Sequence, residues 1–148
     1  MNTVDEILDC AIGQEQQAAD FYASLAARTE KAGMKEMLLE FAEEEKHHKE
    51  RLLAAKTGER KLTLEKEVLA LKISDYLVEV DARDNISYQD ALIVAMKRER
   101  ATFELYSDMA EKVPDTNLMQ VFVGLAKEEA KHKLFFEIEY EERVLMHN

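Results

Sequence analysis

Six residues carry the chemistry this sequence can do: Glu15, Glu45, His48, Glu99, Glu129 and His132. Each occupies a place where helical spacing calls for an apolar residue. Glu15 falls within the stripe Leu8, Ala11, Ile12, Ala18 and Tyr22. Glu45 and His48 continue Met37, Leu38 and Phe41 toward Leu52. Glu99 interrupts Ala95, Met96 and Tyr106. Glu129 and His132 interrupt Val121, Phe122, Leu125 and Phe136. Four carboxylates and two imidazoles are therefore expected to point into one interior, and buried acids are costly unless they are paired or bound to metal.

Metal resolves the conflict. Glu and His three residues apart share a helix face, so Glu45-x-x-His48 and Glu129-x-x-His132 can each offer two ligands to one cavity. Two such pairs with one Glu from each of two further helices is the ligand set of dimetal-carboxylate bundles. Four carboxylates balance two divalent ions, and the imidazoles remain neutral. Hard oxygen donors with one nitrogen per ion suit iron or manganese, with zinc admissible. A lone Glu on an apolar face is ordinarily misread periodicity, or a carboxylate reaching out to solvent.

What sets these six apart is repetition. Residues 11–53 laid without a gap on residues 95–137 match Glu15 to Glu99, Tyr22 to Tyr106, Glu44 to Glu128, Glu45 to Glu129 and His48 to His132. Tyr22 and Tyr106 each follow their Glu by two helical turns, so each phenol is expected within hydrogen-bond reach of site carboxylates, supporting the metal ligands from outside. Glu44 and Glu128 are placed to receive the second N–H of a ligating imidazole, or else to be solvated acids. Glu44-x-x-His47 is a further Glu-x-x-His pair, but the counterpart of His47 is Lys131 and residue 47 leaves the stripe, so His47 is read as facing solvent. Cys10 is read as a small core residue and the methionines as core filler.

The elements that must position these residues are four helices, expected over 4–28, 34–57, 88–112 and 117–145. Thr3 with Glu6, and Ser87 with Asp90, form capping-box signatures. Gly33 marks a short loop, Gly58 ends the second helix, and Pro114-Asp115 separates the last two. Residues 59–86 are too many for a hairpin loop and too apolar for a linker. They are read as a crossover packed along the bundle, with a short helix at 65–72. Two hairpins joined by one long crossover make an all-α, ferritin-like four-helix bundle.

Length and composition agree. The 148 residues fit one domain, 1–148, large enough for a core without disulfides. Four Gly and one Pro leave too few turns for an all-β fold. A net charge of −11 argues against nucleic acid and anionic membranes as partners. The acidic start MNTVDEILDC does not resemble a secretory signal, and a single cysteine suits a cytoplasmic setting. That cysteine also excludes an intrachain disulfide or a cysteine-held iron–sulfur site.

On Glu15, Glu45-x-x-His48, Glu99 and Glu129-x-x-His132, with Tyr22 and Tyr106, the chain resembles the ferritin-like superfamily, and rubrerythrin-like proteins most, over essentially its whole length. The resemblance implies two iron ions, with Glu15 and Glu99 as terminal ligands, Glu45 and Glu129 as bridges, and one His per ion. It implies an oxidoreductase that reduces peroxide or dioxygen in defence against oxidative stress. Rubrerythrins proper carry a rubredoxin module with four cysteines, so electrons would come from a separate donor such as a rubredoxin. They also carry an extra Glu three residues after the third-helix Glu, and a Glu in place of one histidine. Here those positions are Thr102 and His132, a more symmetric ligand set similar to that of bacterioferritins. Two further readings stand beside the first: a ferroxidase or iron-handling protein, and a metal-stabilised helical module that binds a partner without chemistry. The apolar segment 59–86 would suit a homodimer or higher homo-oligomer.

Overall fold

The computed structural model describes residues 4–57 and 86–145, and these form four α-helices: α1 (Val4–Arg28), α2 (Ala32–Thr57), α3 (Tyr88–Lys112) and α4 (Thr116–Tyr140), the last followed by a π-helical turn at Glu141–Leu145. α1 with α2, and α3 with α4, form antiparallel hairpins that close into a four-helix bundle. The Thr3 cap, Gly58, the crossover expected at 59–86 except for its last residue, and its short helix at 65–72 lie outside the described residues.

Two helix starts follow from local hydrogen bonding. Ser87 accepts from the Asp90 amide at 3.0 Å and caps α3, as its sequence signature indicates. Asp115 accepts from the Leu118 amide at 3.0 Å and caps α4. Pro114-Asp115 is thus a stop followed at once by a start. The loop between α1 and α2 is tighter than the sequence suggests. Gly33 lies inside α2, which begins at Ala32, because residues 29–31 suffice to reverse the chain. The π turn after Tyr140 also departs from the single helix expected to 145.

The core has two poles. At the first, Ile7, Leu8 and Ala11 of α1 meet Leu52 of α2, Leu105 and Met109 of α3, and Leu118, Phe122 and Leu125 of α4. At the second, Leu25 and Ala26 of α1 meet Leu38 and Phe41 of α2, Leu92 and Ala95 of α3, and Phe136 of α4. α2 and α3 therefore both run from the second pole to the first. Parallel second and third helices are the mark of a bundle with one long crossover rather than three short loops. Between the poles, where apolar residues would otherwise continue, lie the glutamates and histidines.

Candidate metal centre

One side chain or pair comes from each helix: Glu15 from α1, Glu45 and His48 from α2, Glu99 from α3, Glu129 and His132 from α4. All six are 1% exposed. Their ligand atoms fall into two groups, Glu15, Glu45, His48 and Glu129, and Glu45, Glu99, Glu129 and His132. Within each group the atoms lie within 4.8 Å of one another. Glu45 and Glu129 belong to both, so the groups are neighbouring halves of one centre, here called the His48 and His132 subsites.

The imidazoles are oriented from outside. His48 Nε2 lies 2.7 Å from Glu128, and His132 Nε2 bonds Glu44. An ionised carboxylate only accepts, so Nε2 carries the proton in each ring and donates. In the neutral tautomer Nδ1 then faces inward with its lone pair. His48 Nδ1 lies 2.8 Å from Glu129, 3.1 Å from Glu15 and 3.6 Å from Glu45. His132 Nδ1 lies 3.1 Å from Glu45, 3.6 Å from Glu99 and 4.0 Å from Glu129. Glu128 is itself steadied by Arg51 Nη1 at 2.9 Å. His47 is exposed beside Glu50, and Cys10 is only half-buried rather than a core residue.

Every supporting bond crosses between the hairpins. Tyr106 Oη donates to Glu15 at 2.6 Å, and Tyr22 Oη donates to Glu99. Each phenol thus serves the Glu of the opposite hairpin, not the one two turns before it on its own helix. Both phenols are fully buried. Burial, reinforced by the adjacent carboxylate charges, holds their pKa well above the ordinary value, so they remain donors.

The charges are strained without a cation. Burial, and then the charge of Glu45, holds Glu15 well above the usual carboxylate range. Burial, followed by the charges of Glu15 and Glu45, does the same to Glu129. Burial would also raise Glu45, but His132 and Glu129 reverse this and bring it below its ordinary value. Burial alone would lower His132, yet the carboxylates of Glu45 and Glu99 push it up to about 11. Among the described residues, Glu45 Oε1, Glu99 Oε2, Glu129 Oε1 and His132 Nδ1 have no hydrogen-bond partner. Buried acceptors of this kind are rarely left unsatisfied. A pair of divalent cations fits the donor set and the four orphaned atoms.

Arg98 escapes the sequence reading. It is 3% exposed, and its Nη2 donates to the Gln14 carbonyl at 3.1 Å. Its neighbours Lys97 and Arg100 make it look like part of a solvated face. The available signal is its spacing from Ala91 and Ala95, which places it on a second buried seam toward α1.

The sequence model of the rubrerythrin family matches residues 6–140. No curated protein matches the sequence. Among solved structures, a Thermotoga maritima protein described as a ferritin-like diiron-carboxylate protein superposes with a TM-score of 0.78 at 20% identity, covering 95% of each chain. A hypothetical protein of Pyrococcus furiosus superposes with a TM-score of 0.69 at 25% identity, covering 94% of this chain and 89% of that one.

Proposed function

The chain belongs to the rubrerythrin family, and from that premise we propose that it is a dimetal-carboxylate oxidoreductase that reduces peroxide or dioxygen with electrons from a separate donor such as a rubredoxin. The observation that carries this reading is the pair of four-ligand groups sharing Glu45 and Glu129. Glu15 and His48 would complete one subsite, Glu99 and His132 the other. A bound pair of ferrous ions would supply one electron each, the two that reduction of peroxide to water or of dioxygen to peroxide consumes.

The chain's own residues do the rest. Glu45 and Glu129, from facing helices, fix the two subsites side by side. Glu128 and Glu44 lock the rings of His48 and His132, so that Nδ1 always faces inward. Tyr106 and Tyr22 tie down one oxygen each of Glu15 and Glu99, and their O–H groups are protons held at the edge of the cavity. The apolar poles above and below exclude bulk water, which strengthens each of these electrostatic contacts.

Oxidation of iron as a substrate is the second reading, and one residue favours it. Thr102 stands where rubrerythrins carry an extra Glu, and its hydroxyl is committed to the Arg98 carbonyl at 2.8 Å. The centre therefore keeps the symmetric donor set. Protein purified without oxygen, analysed for metal and then given peroxide or dioxygen, separates the readings. Two ions per chain with sustained turnover on an added reductant supports the reductase. Stoichiometric ferrous oxidation without turnover supports iron handling. Two ions with neither reaction leaves a structural metal site. Failure of the wild type to bind two ions, with no loss of binding in Glu45→Ala, refutes the dimetal centre.

A further inference from the structure

The match of four carboxylates to two divalent ions leaves out one buried charge. Arginine is almost never fully buried without a paired acid. Arg98 is 3% exposed, yet among the described residues it forms no ion pair. Its Nη2 donates to the Gln14 carbonyl at 3.1 Å, while Nε and Nη1 have no partner. Gln14, which is neutral, is also its counterpart in the first hairpin. Another exchange beside the centre, Phe41 on the His132 ring against Leu125 in the repeat, is apolar for apolar. Arg98 is therefore a charge that the repeat carries only once.

Its covalent neighbours set its place. Arg98 is peptide-bonded to Glu99 of one subsite, and the carbonyl it bonds belongs to the peptide joining Gln14 to Glu15 of the other. The guanidinium thus crosses the seam from α3 to α1 at the level of the centre and flanks both subsites. The remaining buried acid among the described residues, Glu139, is paired with Arg143 at 3.1 Å and lies beside Tyr88 at the second pole. The interior around the centre therefore holds four carboxylates and one guanidinium, with the imidazoles and phenols neutral. Two divalent ions would leave it one positive charge in excess. An uncompensated charge taken out of water is costly, and a small anion beside the cations removes that cost.

We propose that Arg98 makes the metal-loaded centre a receptor for one small monoanion, the class to which hydroperoxide belongs: its buried guanidinium, tied across the seam between Glu99 and Glu15, leaves the loaded centre with a positive charge that an entering anion neutralises. The inference rests on the dimetal reading above and deepens it. Hydrogen peroxide taken up in this form leaves its proton to solvent. A buried unit charge at side-chain range, at an effective dielectric of about 20, changes the affinity for a monoanion by about tenfold, and that for a divalent cation by more and in the opposite direction.

Those opposite signs separate a charge effect from a packing effect. The metal-free full chain is titrated with cobaltous ion, and the loaded chain then with sodium azide, both by calorimetry. The wild type should bind two ions and then one azide. Arg98→Met should bind cobalt more than about tenfold more tightly and azide about tenfold more weakly. Arg98→Lys, which keeps the charge, should retain both wild-type affinities. A loaded wild type that takes up no azide overturns the inference even if Arg98→Met does not fold. Unchanged azide affinity in folded Arg98→Met also overturns it, as does weaker binding of cobalt and azide together, which would reduce Arg98 to packing. An Arg98→Lys chain that behaves as Arg98→Met counts against it equally. Absence of cobalt binding by the wild type refutes the dimetal reading instead.

Discussion

A carboxylate that cannot reach water must be held by something, and the two outermost carboxylates of this centre are held by tyrosines. The bonds from Tyr22 to Glu99 and from Tyr106 to Glu15 are neutral O–H donors to acids, contacts that contribute about 1.5–3 kcal/mol when the acid is ionised. Removing one hydroxyl frees a carboxylate oxygen without removing the carboxylate. Tyr22→Phe should therefore still bind two ions while changing the rate of metal oxidation about tenfold. Stopped-flow absorbance beside metal analysis measures both, and an unchanged rate would reduce Tyr22 to packing. The two-turn spacing made it legible that each phenol meets a site carboxylate. Which carboxylate was not legible, because spacing along one helix carries no information about the helix opposite. The positions of Glu15, Glu45, His48, Glu99, Glu129 and His132 around one cavity were legible because polar residues interrupting four stripes at one level must converge.

At the scale of elements, the α3–α4 hairpin depends on a turn of three residues that ends in a cap. Asp115→Ala leaves the Leu118 amide at the start of α4 without its acceptor and should cost about 1 kcal/mol, within the usual range for such caps. Urea unfolding of the metal-free protein measures it. Metal content should not change, since the cap lies at the first pole, away from the centre. The helix count and the parallel course of α2 and α3 followed from periodicity and from the length of the segment between them. Gly33 misled because glycine reads as a loop signal, yet in α2 a side chain at this position would point into open space, so nothing there requires a glycine and it is simply tolerated. Arg98 went unnoticed for the opposite reason. A charged residue flanked by charged residues reads as surface, and only the packing of α1 against α3 reveals a second buried seam.

For the whole molecule, a bound metal and the proton would compete for the same interior. Glu15 and Glu129 are held above their ordinary value of 4.5, and His132 rises from 6.5 to about 11. All three bind protons more tightly folded than unfolded. Their contribution to metal-free stability is full below the unfolded values and is lost as pH rises through the folded ones. Glu45 is shifted the other way, and its contribution is lost as pH falls below 4.5. The metal-free protein should accordingly melt highest in mildly acidic buffer and lower toward pH 9. Two bound ions should raise the melting temperature most at the alkaline end, where they replace the missing protons. Calorimetry of both forms across this range checks it, and a flat metal-free profile would show that the carboxylates open to water instead. The cross-pairing of the hairpins carries a consequence of another kind. One hairpin facing an identical copy across a twofold axis would make every one of these bonds: tyrosine to the other copy's terminal glutamate, outer glutamate to the other copy's histidine. In such a homodimer any substitution strikes both halves at once. A chain that carries both copies in tandem is released from that constraint, and can place an arginine opposite a glutamine, or a phenylalanine opposite a leucine, without disturbing the contacts the two halves still share.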